Sequence, residues 1–374
     1  MSDTRFNSAI VQKGRLLPGI HGLRGIAACA VILFHIERLV GIKPPEIFHF
    51  IGRDFGFSVH LFFILSAFSL MHSNVARLNR QQWFVEYIIK RFFRIAPLYY
   101  SIMLFEITRQ AVYGGVVQDI KSILLNLTFT FGFVPFSSFV WAGWAVGVEM
   151  IFYALFPVLI LTIRTHKSAL AFMVLSVVIS YYVRSGLHAQ YLNTTPLPRW
   201  DWSYFAFPSN LCYFAMGLYA YKISQLVNSN SLNVRLIIPL VAVTLIGGLM
   251  FFNFGKYVQG GGRIDIMVWG ISLTALSIWQ SILPSRAVAN IAFEFLGERS
   301  FSLYLLHPIV VFFSKKYLVA MYEHLSLYIG AYAFFICAVS VLCVILVLTE
   351  FTYRLIEVPG IGLGRRVINM RRQA

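Results

Sequence analysis

Residues 20–36 read IHGLRGIAACAVILFHI, a long apolar segment that contains Arg24 and His35. These two residues are eleven positions apart. At about 100° per residue this spacing completes about three helical turns, so both side chains project from one helix face. At ~1.5 Å rise per residue they are separated by roughly 16 Å, about half the thickness of a bilayer core. A cation and an imidazole inside a membrane helix usually serve a function, although a snorkelling Arg24 and a buried structural His35 are the alternative.

The composition places the chain among polytopic membrane proteins. Of its 374 residues, 58% are hydrophobic and 12% are charged, and the mean hydropathy is +0.72. Soluble domains carry roughly 25% charged residues, so a soluble enzyme is excluded. The formal net charge of +16 is explained by loops that face an anionic leaflet better than by nucleic-acid binding. The four cysteines lie in apolar runs without paired spacing, and no cluster has the spacing of metal ligands, so we expect no metal.

Apolar runs of about 20 residues predict an all-α fold with about ten transmembrane helices. The predicted spans are 20–40, 54–72, 95–113, 141–163, 169–185, 205–224, 236–254, 265–283, 300–320 and 329–351. The shorter apolar run 123–136 is predicted to be re-entrant or interfacial. With both termini in the cytoplasm, most of the 31 Lys and Arg residues fall on the cytoplasmic side, as the positive-inside rule requires.

The chain is predicted to form one membrane-embedded domain over residues 1–374. Residues 1–18 form a polar cytoplasmic tail without a cleavage signal, and residues 357–374 form a basic cytoplasmic tail. No polar stretch approaches the length of a soluble domain.

Glu149 lies in the fourth predicted span, which runs opposite to the first. It is ~12 Å from the outer end, a depth comparable to that of His35. A carboxylate beside an imidazole would hold its tautomer and raise its basicity, so we predict that Glu149 supports His35. The alternative is that Glu149 pairs with another buried cation or with the backbone.

A basic cluster, Lys90, Arg91 and Arg94, precedes the third span at its predicted cytoplasmic mouth. Arg91 and Arg94 are i and i+3, so they are neighbours on a helix. Two guanidinium groups at such a mouth suit a phosphorylated anionic ligand. The positive-inside rule explains the same residues equally well.

Trp200, Asp201 and Trp202 end the external loop 186–204. Aromatic rings beside a carboxylate can hold a sugar, the rings against its apolar face and the Asp against its hydroxyls. Tryptophans at a bilayer boundary more often belong to the aromatic belt. We keep the three residues as a candidate acceptor site.

An anionic donor on the cytoplasmic side and a histidine deeper in the membrane fit acyl transfer to an alcohol. That reaction needs a group that deprotonates a hydroxyl or carries the acyl group. The rival hypothesis is a proton-coupled transporter or flippase in which Arg24, His35 and Glu149 form the path. Such proteins are often built from matched halves, and the sequence has no such symmetry.

Six motifs, in order along the chain, resemble acyltransferase family 3, a family of integral-membrane O-acyltransferases. They are Leu23-Arg24-Gly25 with His35, Leu61-Phe62-Phe63-Ile64-Leu65-Ser66, Lys90-Arg91 through Tyr99, Trp144 through Glu149 with Phe152-Tyr153, Ser302 through His307-Pro308, and Glu357-Val358-Pro359. The chain resembles stand-alone members of that family, without a fused esterase-like domain.

The resemblance implies transfer of an acyl group, usually acetyl, from cytoplasmic acyl-CoA to a carbohydrate or lipid-linked acceptor at the outer face of a bacterial inner membrane. It implies that His35 is the base or the acyl carrier, and that Arg24, Arg91 and Arg94 contact the CoA. Direct transfer and an acyl-histidine intermediate both stay open.

Three positions depart from the family pattern. His21 and His60 stand where aspartates are usual, and Ala67 stands where glycine follows the serine. The histidines remove carboxylates, which predicts a different acceptor choice or pH response. Ala67 adds a methyl group where backbone or ligand approaches closely.

Overall fold

The protein is described from a computed structural model, which describes residues 17–113, 118–190, 202–227, 231–251 and 264–373. These residues form helices and connecting turns and no β-strand. The long helices are α1 (Pro18–His35), α3 (Ser58–Asn74), α4 (Trp83–Val112), α6 (Gly143–Thr162), α7 (His166–Ala189), α9 (Phe207–Ser224), α10 (Leu232–Phe251), α11 (Ile264–Ile282), α13 (Ser300–Ile329) and α14 (Ala333–Thr352).

The short helices are α2 (Phe50–Asp54), α5 (Ile120–Leu127), α8 (Trp202–Phe205), α12 (Ile291–Glu298) and α15 (Val358–Gln373). Single 3₁₀ turns occupy Glu46–Phe48, Phe55–Phe57, Val75–Arg77, Thr130–Phe133 and Gly330–Tyr332. π-Helical turns extend α1 over Ile36–Val40 and join α14 to α15 over Tyr353–Glu357.

Each predicted span corresponds to one long helix, so the all-α polytopic membrane fold is confirmed. By length and hydropathy, six helical stretches in the described ranges are able to cross a membrane, and the stretch Ser300–Gln373 alone contains α13 and α14. The number of spans and the side on which the termini lie stay predictions. The run 123–136 forms only the short α5 and a 3₁₀ turn.

Helix α1 lies at the centre, packed against α3, α12 and α13. A stripe of glycines, Gly19, Gly22 and Gly25, faces the segment 280–297. A methyl carbon added at Gly19 or Gly22 would lie 2.1 Å from a backbone carbonyl oxygen, that of Gln280 or Val288. Only glycine permits this approach, which fixes the position of α1 and of Arg24 on it.

Helices α7 and α10 contribute few buried side chains. In α10, Leu236 and Leu240 are more than 60% exposed, and most of this helix presents apolar side chains outward. In a membrane protein such a surface contacts lipid, because no hydrophobic effect drives it inward. Helices α1, α3 and α9 bury most of their side chains and form the interior of the fold.

The predicted basic tail is a helix, α15, that packs along α4. Methyl carbons added at Gly360 and Gly364 would lie 2.7 Å from the Pro97 Cγ and 2.8 Å from the Phe93 Cβ. Arg372 donates to Glu86 on α4, so the end of the chain is tied down by charge as well as by close packing.

Candidate functional site

An open cavity lies where α1, α3, α4, α6 and α13 meet. We call it the arginine cavity. Its lining residues are Arg24, Val59, Phe62, Phe63, Arg94, Ile95, Ala145, Val146, Glu149, Tyr153, Ser300, Phe301 and Tyr304. Three of the predicted site residues, Arg24, Arg94 and Glu149, are therefore brought together.

The arginine cavity carries an excess of positive charge. Arg24 has Arg91, Arg94 and Glu149 as electrostatic neighbours. The Arg91 guanidinium lies 5.7 Å from the centre of the Tyr153 ring. The buried Nε atoms of Arg24 and Arg91 make no hydrogen bond within the described ranges. Several guanidinium donors facing one carboxylate leave capacity for an anionic ligand.

Glu149 is held by hydroxyl groups and not by His35. Its Oε1 accepts from the Ser66 hydroxyl and from the Tyr153 hydroxyl, each at 2.5 Å. These two hydroxyl oxygens are themselves 2.9 Å apart. The expected partnership of Glu149 with His35 is replaced by this triad, because Tyr153 is at i+4 on α6 and Ser66 faces it from α3.

His35 is paired instead with His307, which follows Tyr304 by one turn on α13. The His307 Nε2 lies 3.1 Å from the His35 Nδ1, and the ring centres are 4.8 Å apart. His35 Nδ1 also lies 2.9 Å from the carbonyl oxygen of Val31, and His307 Nδ1 lies 3.3 Å from that of Leu303.

These contacts favour one tautomer for each ring, the one with the proton on Nδ1. A carbonyl oxygen only accepts, so each Nδ1 carries its proton when it donates to its carbonyl. The His307 Nε2 is then a bare acceptor for the His35 Nδ1–H. The His35 Nε2 carries a lone pair, with no hydrogen bond to any described residue, and is available as a base or nucleophile.

The proline after His307 explains part of this arrangement. Pro308 has no N–H, so the Tyr304 carbonyl loses its usual helical donor. The His307 imidazole interacts with the carbonyls of both Leu303 and Tyr304. The motif His307-Pro308 therefore positions an imidazole inside the membrane without leaving this part of the helix unsatisfied.

Tyr304 lies between the arginine cavity and the histidine pair, and neither histidine lines the cavity. Tyr304 lines the arginine cavity, and its ring centre is 5.7 Å from that of His307. His307 is ~4.5 Å further along α13. The histidine pair therefore lies one turn beyond the charged cavity.

Glu357 closes the cavity region from the second π-helical turn. Its carboxylate is 1% exposed, accepts from the Ser302 hydroxyl and has Arg94 as an electrostatic neighbour. Thr352 donates to the Ser302 hydroxyl at 3.1 Å. The conspicuous Glu357-Val358-Pro359 motif thus supplies a buried carboxylate near Arg94.

Lys90 does not line the arginine cavity. Its Nζ lies 3.0 Å from a carboxylate oxygen of Glu86, which also binds Arg372. The Lys90 ammonium group therefore belongs to the charged contact between α4 and α15.

A second pocket, of about 580 Å³, begins where the arginine cavity ends on α6, and we call it the tryptophan pocket. Its lining residues are Phe131, Gly132, Phe136, Ser138, Val140, Trp141, Ala142, Trp144, Trp202 and Phe205. Trp202 is thus placed in an aromatic pocket, whereas Trp200 and Asp201 lie outside the described residues.

The departures from the family pattern are accommodated by packing. The His60 ring is buried, with its centre 4.2 Å from that of Tyr213. The Ala67 methyl group faces Gly217 on α9, where an added methyl carbon would lie 2.8 Å from it. His21 contributes its carbonyl oxygen, which closely approaches Gly297.

Sequence reasoning missed three contributors: Ser66, Tyr153 and the pairing of His307 with His35. Tyr153 carried a usable signal, since it is at i+4 from Glu149. Ser66 and His307 come from other helices, and no spacing rule connects residues across helices whose packing is unknown.

The family described as acyltransferase domain, the acyltransferase 3 family, matches residues 17–349. A Staphylococcus aureus (strain COL) protein provisionally named an O-acetyltransferase is 23% identical over 96% of this chain and 60% of its own length. The O-acetyltransferase OatA of S. aureus (strain NCTC 8325) is 21% identical over 92% of this chain and 57% of its own. This chain therefore spans about 60% of the length of these curated relatives. No solved structure matches it significantly.

Proposed function

The chain belongs to the acyltransferase 3 family, and from this premise we propose that it is a membrane O-acetyltransferase. It moves an acetyl group from cytoplasmic acetyl-CoA to a hydroxyl of a carbohydrate or lipid-linked glycan at the outer face of a bacterial inner membrane. The observation that carries the proposal is the arginine cavity with the His35–His307 pair next to it, in contact with its lining residue Tyr304. The relatives named as O-acetyltransferases support the choice of reaction.

The arginine cavity suits the donor. Coenzyme A is anionic, and Arg24 and Arg94 in the cavity, with Arg91 beside it, offer guanidinium donors to phosphate oxygens. The apolar lining, with Phe62 and Ile95, suits the thin pantetheine arm and the thioester. The acyl end would then point along α13 towards the histidines.

His35 performs the chemistry in either of two routes. In the direct route, its Nε2 takes the proton of the acceptor hydroxyl, whose oxygen attacks the thioester carbonyl and expels the CoA thiolate. The proton then passes from His35 to that thiolate. In the two-step route, the Nε2 attacks the thioester carbonyl and expels the CoA thiolate, which gives acetyl-histidine. The acceptor hydroxyl oxygen then takes the acetyl group from the imidazole, and its proton passes to the thiolate.

Arg24 and Glu149 complete the catalytic assignment. Arg24 lies in the cavity wall, roughly 16 Å along α1 from His35, so its guanidinium binds the phosphate end of the donor and orients the thioester end towards the histidine. Glu149, held by Ser66 and Tyr153, partly balances the arginines and keeps Tyr153 in place against Arg91. Its role is one of charge balance and positioning and does not require contact with His35.

Labelled acetyl transfer into cell-envelope carbohydrate tests the proposal. Wild type, His35→Ala and the control His49→Ala, an exposed histidine outside both pockets, are compared in membranes supplied with labelled acetyl-CoA. We expect His35→Ala to lose at least 100-fold in rate, the usual contribution of a general base, while His49→Ala stays near wild type.

Near-normal transfer by correctly inserted His35→Ala protein would exclude the mechanism. Absence of label with the wild-type protein would exclude acetyl-CoA as donor and favour the transport hypothesis. Rapid quenching with acetyl-CoA alone separates the two routes, because only the two-step route accumulates acetyl-histidine.

A further inference from the structure

We infer that the tryptophan pocket binds one uncharged sugar ring of the glycan acceptor, an inference that rests on the proposed acetyltransferase function. The pocket is separate from the arginine cavity but shares α6 with it. The ring of Trp144, which lines the tryptophan pocket, lies 6.1 Å centre to centre from the ring of Phe63, which lines the arginine cavity. The two rings form a partition between the pockets.

The walls combine flat apolar faces with hydrogen-bond donors. Trp141, Trp144 and Trp202 line the pocket, and none of their indole N–H groups makes a hydrogen bond within the described part of the chain. The apolar face of a pyranose packs against such rings, while its hydroxyl and ring oxygens accept from N–H groups. A pocket for an acyl chain would need no donors.

No charged side chain is among the described residues that line this pocket. The phosphates of coenzyme A would therefore lack partners there, and burying them would be costly. The pocket thus fits an uncharged ring and does not fit the donor. The ligand classes of the two pockets differ accordingly.

The backbone around the pocket is held in an uncommon conformation. Phe136 and Ala142 have φ values of 53° and 58°, in the left-handed region that non-glycine residues rarely adopt. Both line the pocket. Strain of this kind persists where the surrounding structure fixes it and is concentrated at binding sites.

The pocket also reaches α13, the helix that carries His307. Trp141 packs edge-on against Phe312 on α13, with ring centres 5.0 Å apart. Phe312 is ~7.5 Å beyond His307 along that helix, whereas Tyr304, on the other side of His307 in sequence, lines the arginine cavity. Along α13, a sugar held by Trp141 would therefore lie on the opposite side of His307 from the donor.

Steady-state kinetics of acetyl transfer test the inference, with the cell-envelope glycan fraction that accepts label from wild type as the probe. The variants are Trp141→Leu, Trp202→Leu and Trp202→Phe, and the control is Trp279→Leu, a half-buried tryptophan on α11 outside both pockets. We expect each leucine variant to raise the KM for glycan about tenfold, because it loses ring packing. The KM for acetyl-CoA should stay within about twofold.

The phenylalanine variant keeps the ring and loses the N–H, so we expect about a threefold rise in the KM for glycan. If the leucine variants do not insert into the membrane, the KM of Trp202→Phe for glycan tests the inference by itself. Unchanged KM for glycan in all three variants, or an equal rise for acetyl-CoA, would overturn the inference while leaving the transfer activity in place. Absence of transfer by wild type would instead refute the proposed function and, with it, this inference.

Discussion

The arginine cavity and the tryptophan pocket lie along the same helix but have opposite chemistry. Trp144, in the wall of the tryptophan pocket, and Glu149, in the wall of the arginine cavity, are five positions apart on α6. One side offers guanidinium groups around a carboxylate, and the other offers rings and unpaired indole donors. A single helix can therefore present two kinds of ligand site, provided that different neighbouring helices complete each of them.

Of the mutations that test this comparison, removal of a positive charge from the arginine cavity should have the largest effect on the kinetics. We expect Arg94→Ala to raise the KM for acetyl-CoA about 10- to 100-fold, as expected for the loss of a hydrogen bond to a charged group, and to leave the KM for glycan within about threefold. Initial rates with each substrate varied in turn provide the measurement. Arg91→Ala should show the same pattern more weakly, because Arg91 does not line the cavity.

Arg80→Ala is the matched control, since Arg80 is exposed on the same predicted cytoplasmic segment. A larger effect on the KM for glycan than on that for acetyl-CoA would reverse the assignment of the two pockets.

Mutation of the histidine pair is expected to have a smaller effect, and that effect is on kcat. His307→Phe removes one of the two acceptors of the His35 Nδ1–H and leaves the Val31 carbonyl, and we expect kcat to fall about fivefold with both KM values unchanged. His307→Gln keeps an acceptor oxygen and should recover most of that loss. Rates at saturating substrate distinguish the two variants.

Equal losses in the two variants would mean that His307 contributes only packing. A fall in acetyl-CoA affinity would instead place it in the donor site.

The contact between α4 and α15 lies outside both pockets. Its mutation is therefore expected to have the smallest effect, and that effect is on stability. Burial alone would raise the pKa of the Glu86 carboxyl, but hydrogen bonds from Arg372 and Lys90 outweigh burial and hold the pKa below its ordinary 4.5. A lowered pKa stabilises the fold above the unfolded value, and this contribution is lost as the pH falls through the folded value. We expect Glu86→Gln to lower Tm by about 1–2 °C at pH 7, and the difference to vanish in acid.

Thermal unfolding of purified protein at both pH values measures this effect, with Glu323→Gln at an exposed position as control. A difference that persists in acid would show that Glu86 stabilises the fold by packing and not by charge. Transfer kinetics should be unchanged, since Glu86 touches neither pocket.

The helices were predictable from the sequence because a span needs about 20 apolar residues, a local property. The third span was underestimated, since α4 begins at Trp83 and its first three turns contain the basic cluster. Charged residues lower the mean hydropathy of a segment, so a hydropathy-based prediction misses the part of a helix that contains them. They are nevertheless compatible with helical structure outside the bilayer.

The candidate site was predictable only in part. The alignment of Arg24 with His35 follows from one helix, and the depth of Glu149 follows from its span. The partner of His35 does not, because His307 lies on another helix and only the packing of α1 against α13 brings the two rings together. Tyr153 and Ser66 occupy Glu149 in the structure, and His307 is left facing His35.

The glycine stripe on α1 has a consequence for mutational tolerance. At Gly19 and Gly22 even alanine would collide with backbone that has no side-chain freedom to yield. The exposed leucines of α10 can exchange with any apolar residue, since lipid adapts to their shape. A saturation library should therefore divide the protein sharply, with near-zero tolerance along one face of the first helix and wide apolar tolerance along α10.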